Sequence, residues 1–461
     1  MKFNLRGITA LLSALGLTLL SGTAAATNGY FTHGVGTESK GMAGTGVGSN
    51  AANGPIIIAS NPALGVFASD SWEVGLSAFS PMRSYKAEGG FGGNFGAFST
   101  ENGSYDSSSE WFPIPYIAKN WRLGNDNAIS FVFYGRGGMN TDWDDSSANA
   151  YFDPFGQGGV PAQFPGTFGG GDAGVDLSQA FLSINYSGKV GENFAWGLGP
   201  VFAVQMFEAT GLGAFAPYTK TYIETFFTTG VPGNPDSLTN NGHDMSTGFG
   251  MAAGVWWAMG DYVSAGIAYQ SKMSMSEFKD YSDLYAEAGG FDIPSSAKIG
   301  LSFQGSNDVR FNIDVEQTKF SEVASVGNSL ANIYNCPTVG GTDFESCLGG
   351  KNGAGFGWDD MTTFKFGIEW TPSDTVAYRF GYSYGDQPIN EDDVLFNILA
   401  PGVMEQHFTV GMSKSKPEGG TWNFSLMYAP TNKVKGISAF DPGQSIELEM
   451  SQFEFEVSYL W

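Results

Sequence analysis

From about residue 70 to the C-terminus, apolar and polar residues alternate with a period of two. In the last such segment Phe453, Phe455, Val457, Tyr459 and Trp461 share one face, and Glu454, Glu456 and Ser458 share the other. Successive side chains of a strand point to opposite faces, so this segment predicts a strand with an aromatic side and an acidic side. Thr362, Phe364, Phe366, Ile368 and Trp370 stand opposite Lys365 and Glu369 in the same way. Val376, Tyr378, Phe380, Tyr382 and Tyr384 alternate with Arg379, Gly381 and Ser383, and Trp422, Phe424, Leu426 and Tyr428 with Asn423 and Ser425. Phe194, Trp196, Leu198, Phe202 and Val204 alternate with Ala195, Gly197, Gly199 and Ala203. The pattern predicts about 14 strands, starting near 71, 109, 128, 175, 194, 246, 262, 294, 309, 360, 376, 403, 421 and 447.

The connections alternate between short and long. Tight turns are expected near 124–127, 190–192, 260–261, 305–308, 372–375 and 416–420. Long polar loops are expected near 86–107, 142–173, 210–245, 321–358, 386–401 and 433–445, with an intermediate one near 280–292. Short turns on one side and long loops on the other are the pattern of outer-membrane barrels, and an even strand number returns the chain to its starting side. A soluble sandwich is the alternative architecture for the same alternation.

Composition favours the barrel. Mean hydropathy is −0.11, as expected when only alternate residues face lipid. Charged residues are 15% and aromatics 15%, with 66 glycines, whereas soluble domains carry about 25% charged residues. Lys2 and Arg6, the apolar run Ile8–Leu20 and the small residues Ala24–Ala26 form the three parts of a secretory signal in order. The apolar run is too short to span a bilayer as a helix, which takes about 20 residues. Residues 1–26 are therefore expected to be a signal peptide, with the mature chain beginning at Thr27. The formal net charge is −24; the leader holds two of the basic residues and no acid, which leaves −26. With no basic patch to neutralise phosphates, nucleic acid is excluded as a partner. Cys336 and Cys347 lie close together in a loop-like stretch of an exported chain, which predicts a disulfide; two free thiols are the alternative.

Residues 27–68 do not alternate and are rich in Gly, Ala, Ser and Asn. This segment suits a plug inside the lumen, ahead of a barrel at 69–461. The glycine spacing of Gly44–Gly48 has no strand–helix context of the kind a phosphate loop needs.

Several segments in order resemble the FadL-type outer-membrane transporters of long-chain fatty acids and hydrocarbons. Lys40–Gly44 followed by Ser60-Asn61-Pro62-Ala63-Leu64 resembles that family's hatch, with Asn61, Pro62 and Ala63 as its Asn-Pro-Ala motif. Gly248–Met251, Gly254-Val255 and Tyr269–Lys272 are similar to a paired strand segment of the family. Trp358–Asp360 through Phe366–Ile368, and Tyr378–Gly381 through Gln387-Pro388, match further strands. Trp461 resembles the terminal aromatic read by the barrel-assembly machinery. The resemblance implies an all-β fold: a transmembrane antiparallel barrel of about 14 strands in the outer membrane, with an N-terminal hatch in the lumen. It further implies diffusive uptake of hydrophobic molecules (fatty acids, alkanes or aromatics) with no cofactor, no metal and no catalytic set. Outer-membrane lipid and lipopolysaccharide would surround a monomer.

The resemblance also implies a route: capture at a groove between extracellular loops, passage to a pocket beside the hatch, and sideways release into the membrane through a gap made by a kinked third strand; two places in the sequence fit it. Gly135, Arg136, Gly137 and Gly138 crowd three glycines into the third strand, which weakens pairing and favours a bend; a plain bulge is the alternative. Tyr218, Tyr222, Ile223, Phe226 and Phe227 fall at helical spacing in the loop after the fifth strand. They are candidates for a surface capture groove, with Phe278, Tyr281, Leu284 and Tyr285 as its opposite wall; packing of the loop on itself is the alternative. One departure bears on the ligand. The stretch Val201–Met206 carries no Lys or Arg where the family places bases for a carboxylate. Either another base serves, such as Arg136 or Lys319, or the ligand is neutral, and the acidic balance favours neutral ligands such as alkanes or aromatics. A general porin and an outer-membrane lipase are the rival functions. For the latter the chain offers His33, His243 and His407 but no Gly-x-Ser-x-Gly elbow.

Overall fold

The alternation resolves into a closed ring of strands. The computed structural model describes residues 28–90, 98–152 and 160–461; the expected signal peptide and Thr27 lie outside them. The ring is built from β1 (Trp72–Gly89), β2 (Phe112–Leu123), β3 (Asn127–Trp143), β4 (Ala173–Val190), β5 (Phe194–Thr210), β6 (Asp244–Ala258) and β7 (Val263–Gln270). It continues through β8 (Ser296–Ser306), β9 (Val309–Thr318), β10 (Met361–Ser373), β11 (Val376–Gly385), β12 (Gln406–Ser415), β13 (Thr421–Ile437) and β14 (Gln444–Leu460). Each starts within three residues of its expected position. Neighbours pair antiparallel, and β14 pairs with β1 from Glu73↔Leu460 to Gly89↔Gln444, which closes the sheet. Closure removes the free edges of the sheet, the condition for crossing lipid as strands. Among the described residues no helix is long and apolar enough to cross a membrane.

The two faces sort as the period-two pattern requires. Phe364, Phe366, Phe453 and Phe455 are exposed on the outside, while Lys365, Glu454 and Glu456 are buried on the inside. At the short-turn end a girdle of rings encircles the wall: Trp422 and Tyr459 have centroids 4.8 Å apart, Tyr459 and Trp461 5.7 Å, and Tyr186 and Trp196 5.7 Å. Such amphipathic rings mark a membrane–water interface.

The long-loop end is more structured than the sequence suggested. Residues 433–445, expected as loop, are mostly wall: β13 runs to Ile437 and β14 starts at Gln444. Their outer face is a ladder of ion pairs, Lys433 with Glu447 and Glu449 and Lys435 with Glu88. A strand standing above the lipid has no apolar outer face, so its alternation disappears. The first two long loops contribute a small sheet of Phe98–Thr100, Ser147–Phe152 and Val160–Pro165. The loop after β5 forms helix α1, Lys220–Thr229, capped by the Thr219 side chain at the Tyr222 N–H. Cys336 and Cys347 form the expected disulfide.

Residues 28–68, the described part of the segment expected as a hatch, form short turns packed on the inner face of the wall. Close approach explains part of the glycine content. A side chain at Gly254 would strike the Asn61 Oδ1, one at Gly197 the backbone of Pro62, and one at Gly381 the backbone of Met42 and Ala43. Glycine at these lumen-facing positions lets the hatch lie directly on the wall.

Candidate functional site

The hatch is held by charge and by backbone. Lys40 Nζ lies 2.5 Å from Glu454 and 2.6 Å from Glu456 on β14. Burial opposes the Lys40 ammonium, but the two carboxylates outweigh it and hold its pKa above the ordinary lysine range. Arg379 on β11 pairs with Glu369 at 2.8 Å and with Glu38 of the hatch at 3.6 Å. Burial raises the Glu38 carboxyl above its usual range, against the pull of Arg379. Lys365 donates to the His33 carbonyl and to Glu316. Burial, then Lys40 and Lys365, push the His33 ring well below its ordinary pKa. The glycine-rich turn meets an acid of the wall: the N–H groups of Gly46 and Val47 donate to Asp314 Oδ2 at 2.8 and 3.0 Å.

The hatch motif acts as a backbone clamp. Asn61 Oδ1 accepts from the Ala63 N–H, capping the turn that Pro62 begins. Its Nδ2 donates to Val47 O within the hatch and to Val255 O on β6.

The wall is interrupted at β3. Pairing between β2 and β3 runs from Leu123↔Asn127 to Tyr116↔Tyr134 and stops there. β3 continues along β4 with a register shift between Gly135 and Gly137. Phe112–Pro115 of β2 and Gly135–Gly138 of β3 are thus neighbours without a ladder. Pro113 and Pro115 supply no N–H in this stretch, so the upper half of β2 behaves as an edge. The hatch occupies the vacated position. The Thr32 N–H donates to Arg136 O at 2.8 Å, and the Gly138 N–H donates to Tyr30 O at 3.0 Å. The Arg136 guanidinium covers the Phe31 ring at 4.5 Å and bonds Gln270 and Ser296, with Glu316 3.5 Å away.

Two kinds of space adjoin the hatch. A cavity of about 370 Å³ opens at the short-turn end and is lined by Glu38, Arg310, Glu369 and Arg379 among others. Its charge makes it a poor host for apolar matter. Above the hatch lies a small apolar pocket of about 20 Å³ between Val175, Leu212, Phe215, Leu284, Tyr285, Phe356, Phe396 and Leu399. That volume holds about one water molecule, so a larger occupant must displace side chains.

A family model described as outer membrane protein transport protein (OMPP1/FadL/TodX) matches residues 17–415. The chain belongs to this family. Its outer-membrane location and its 14-stranded barrel agree with that membership. The fold is similar to that of the Pseudomonas putida toluene transporter TodX, at a TM-score of 0.60 and 14% identity over 93% of this chain and 98% of that one. A Pseudomonas aeruginosa FadL homologue gives 0.59 and 16% over 94% and 99%. The Ralstonia pickettii toluene transporter TbuX gives 0.52 and 16% over 92% and 98%. No curated protein matches the chain by sequence.

Within this OMPP1/FadL/TodX chain, the residues expected at a capture groove separate into two groups. Ile223 and Tyr222 pack α1 onto the disulfide and Phe344, while Phe226 and Phe227 are exposed. Tyr218 stacks edge-on against Phe440. Phe278, Tyr281 and Tyr285 instead surround Phe207, with centroids 4.7–5.5 Å from it. Only Leu284 and Tyr285 reach the apolar pocket, whose other walls, Phe215, Phe356 and Phe396, carried no periodic signal. Lys319, one of the candidate bases, is paired with Asp360 at 2.8 Å. His243 lies between Asp176 and Glu208 on the extracellular side. Ser383 Oγ is 3.0 Å from His407 Nδ1, but both are fully buried, and the His33 ring stacks 5.9 Å from His407. This serine–histidine pair faces the hatch rather than a lipid-facing rim.

Proposed function

We propose that the protein is a diffusive uptake channel for hydrophobic molecules, with capture at the extracellular loops and lateral release through the wall between β2 and β3. Residues 27–68 act as the hatch that governs this passage. A ligand enters among the aromatic loops, displaces side chains of the apolar pocket, and moves down beside Tyr30 and Phe31. It leaves into lipid where β2 and β3 are unpaired. The observation that carries this reading is the unpaired stretch Gly135–Gly138 opposite Phe112–Pro115, filled by hatch backbone rather than by a strand. Open backbone in lipid is expensive, so a break kept in the wall and sealed by a separate segment is consistent with a gate.

The name of TodX, a toluene transporter, supports an apolar cargo for a chain of this fold. Among the described residues the hatch lies directly on glycines of the wall, which favours a plugged barrel over a general porin. The test is accumulation of labelled palmitate, and separately of toluene, by cells carrying the parent or the Gly135→Val variant. A Cβ at Gly135 comes 2.8 Å from Ile114 Cγ2, so the added bulk fills the gap. The expected result is uptake by the parent and loss of it in a variant that still assembles. Equal uptake by both would remove the lateral route.

A further inference from the structure

The outer face of the wall changes character at one sector of the long-loop end. On β1, β14 and β13 the exposed apolar residues below this sector are Met82, Phe453 and Tyr428. Four residues above Met82 on the same face, Lys86 stands beside Glu447 of β14, and Glu447 stands beside Lys435 of β13. Lys86 and Lys435 both reach Glu88, one on each carboxylate oxygen, at 2.6 and 3.2 Å. Glu447 is taken by Lys433, at 3.0 Å, and Lys433 also lies 2.6 Å from Glu449. The charges are therefore shared unevenly. Lys433 has two acids to itself, whereas among the described residues Lys86 and Lys435 have ion-pair contacts with Glu88 alone. Lys86, Lys435 and Glu88 are all half-exposed on the outside of the barrel.

We propose that Lys86 and Lys435 form a docking surface for a phosphate-bearing headgroup of the outer-leaflet lipid that surrounds the barrel. The proposal is independent of the uptake reading. Its position is continuous with the lipid-facing band. From Met82 to Lys86 the strand rises roughly 13 Å, or about 10 Å in height at the tilt of a barrel. The headgroup region extends roughly 5–8 Å beyond the hydrocarbon, and a lysine stem bends towards such a layer along apolar surface. The charge is complementary as well. A phosphate monoester carries more charge than a carboxylate and accepts through three oxygens, so it displaces Glu88 from between the two ammoniums. A half-exposed ion pair offers little resistance to that exchange. The chain as a whole carries a net charge of −24, which repels an anionic headgroup layer. The contact must therefore come from a local pair of lysines that share one acid, not from overall charge.

The experiment titrates the full chain, in neutral detergent with a chelator present, with diphosphoryl lipid A and with fully dephosphorylated lipid A. Retained lipid is counted by native mass spectrometry. The parent should retain the diphosphoryl form at about tenfold lower concentration, the scale expected of two lysines beside an anionic headgroup. Lys86→Gln combined with Lys435→Gln should remove this difference and leave retention of the dephosphorylated form unchanged. Glu88→Gln frees both ammoniums and should widen the difference. It keeps both lysines, so it decides the matter if the double variant does not assemble. Equal retention of the two lipids by the parent overturns the proposal. A difference that survives the double variant, or that Glu88→Gln fails to widen, overturns it too. None of these outcomes bears on the lateral route, because no uptake is measured.

Discussion

The backbone N–H of Thr32 donates to the carbonyl of Arg136 at 2.8 Å, so a residue of the hatch completes the sheet where β2 turns away from β3. Plug and wall are one hydrogen-bonded structure at this point, so on the proposed route residues 30–32 must move for the wall to open.

Thr32→Pro removes that donor while leaving the lumen side of the hatch in place. The lost bond is worth about 0.5–1.5 kcal/mol, small beside the stability of the barrel but large for a local gate. The variant should assemble normally and show more frequent openings in planar bilayers, with faster exchange of the Gly138 amide, whose N–H donates to Tyr30. Unchanged exchange at Gly138 would mean that the two bonds do not act together.

Lys40 is the electrostatic anchor of the hatch. Lys40→Met leaves Glu454 and Glu456 facing each other in the lumen without their shared cation. Removing one partner of a buried ion pair costs about 3–5 kcal/mol. Conductance should rise, and protease should reach the hatch in assembled barrels. Adding Glu454→Gln and Glu456→Gln should restore much of the closed behaviour. A single variant as tight as the parent would show that the other hatch contacts suffice.

The wall was the most legible part of the sequence, because lipid on one side and lumen on the other impose a strict period of two. The same rule explains the failure at 433–445: there the outer face stands in water instead of lipid, Lys433 and Lys435 replace apolar residues, and strand looked like loop. The break was half visible. Three glycines in Gly135–Gly138 marked one edge, while the signal on the other edge, Pro113 and Pro115, lay unread in β2. That hatch backbone fills the gap cannot be read from either segment alone. Phe278 and Tyr281 were recognised as apolar loop residues, but their partner Phe207 sits on a strand far away in sequence.

Docking of the hatch should weaken in mild acid. His33 is kept neutral by burial and by the neighbouring Lys40 and Lys365, well below its ordinary range. Once undocked it regains a pKa of about 6.5. Undocking therefore takes up a proton as pH falls below that value, and the docked state loses stability there. Glu38 opposes this: burial raises its carboxyl, so it holds a proton more readily when docked, and its contribution favours docking as pH falls. His33→Gln removes only the first effect. Conductance of the parent should rise from pH 7.5 to 5.5, and the rise should be smaller in the variant. Identical profiles would remove His33 from the account.

Deleting residues 27–68 should leave the ring of strands able to close, since β1 to β14 pair without it. Conductance should rise several-fold and no longer respond to Glu454→Gln with Glu456→Gln, whose cation is gone. Equal conductance with and without the segment would show that it does not plug the lumen.

Reversible closure of the gap between β2 and β3 tests the lateral route most directly. A Cβ at Gly135 lies 2.8 Å from Ile114 Cγ2, close enough for Ile114→Cys and Gly135→Cys to bridge. Cells carrying this pair should accumulate labelled palmitate when reduced, stop when oxidised, and resume on reduction, while the parent is unaffected by either treatment. Undiminished accumulation in the fully oxidised pair would contradict release through the wall.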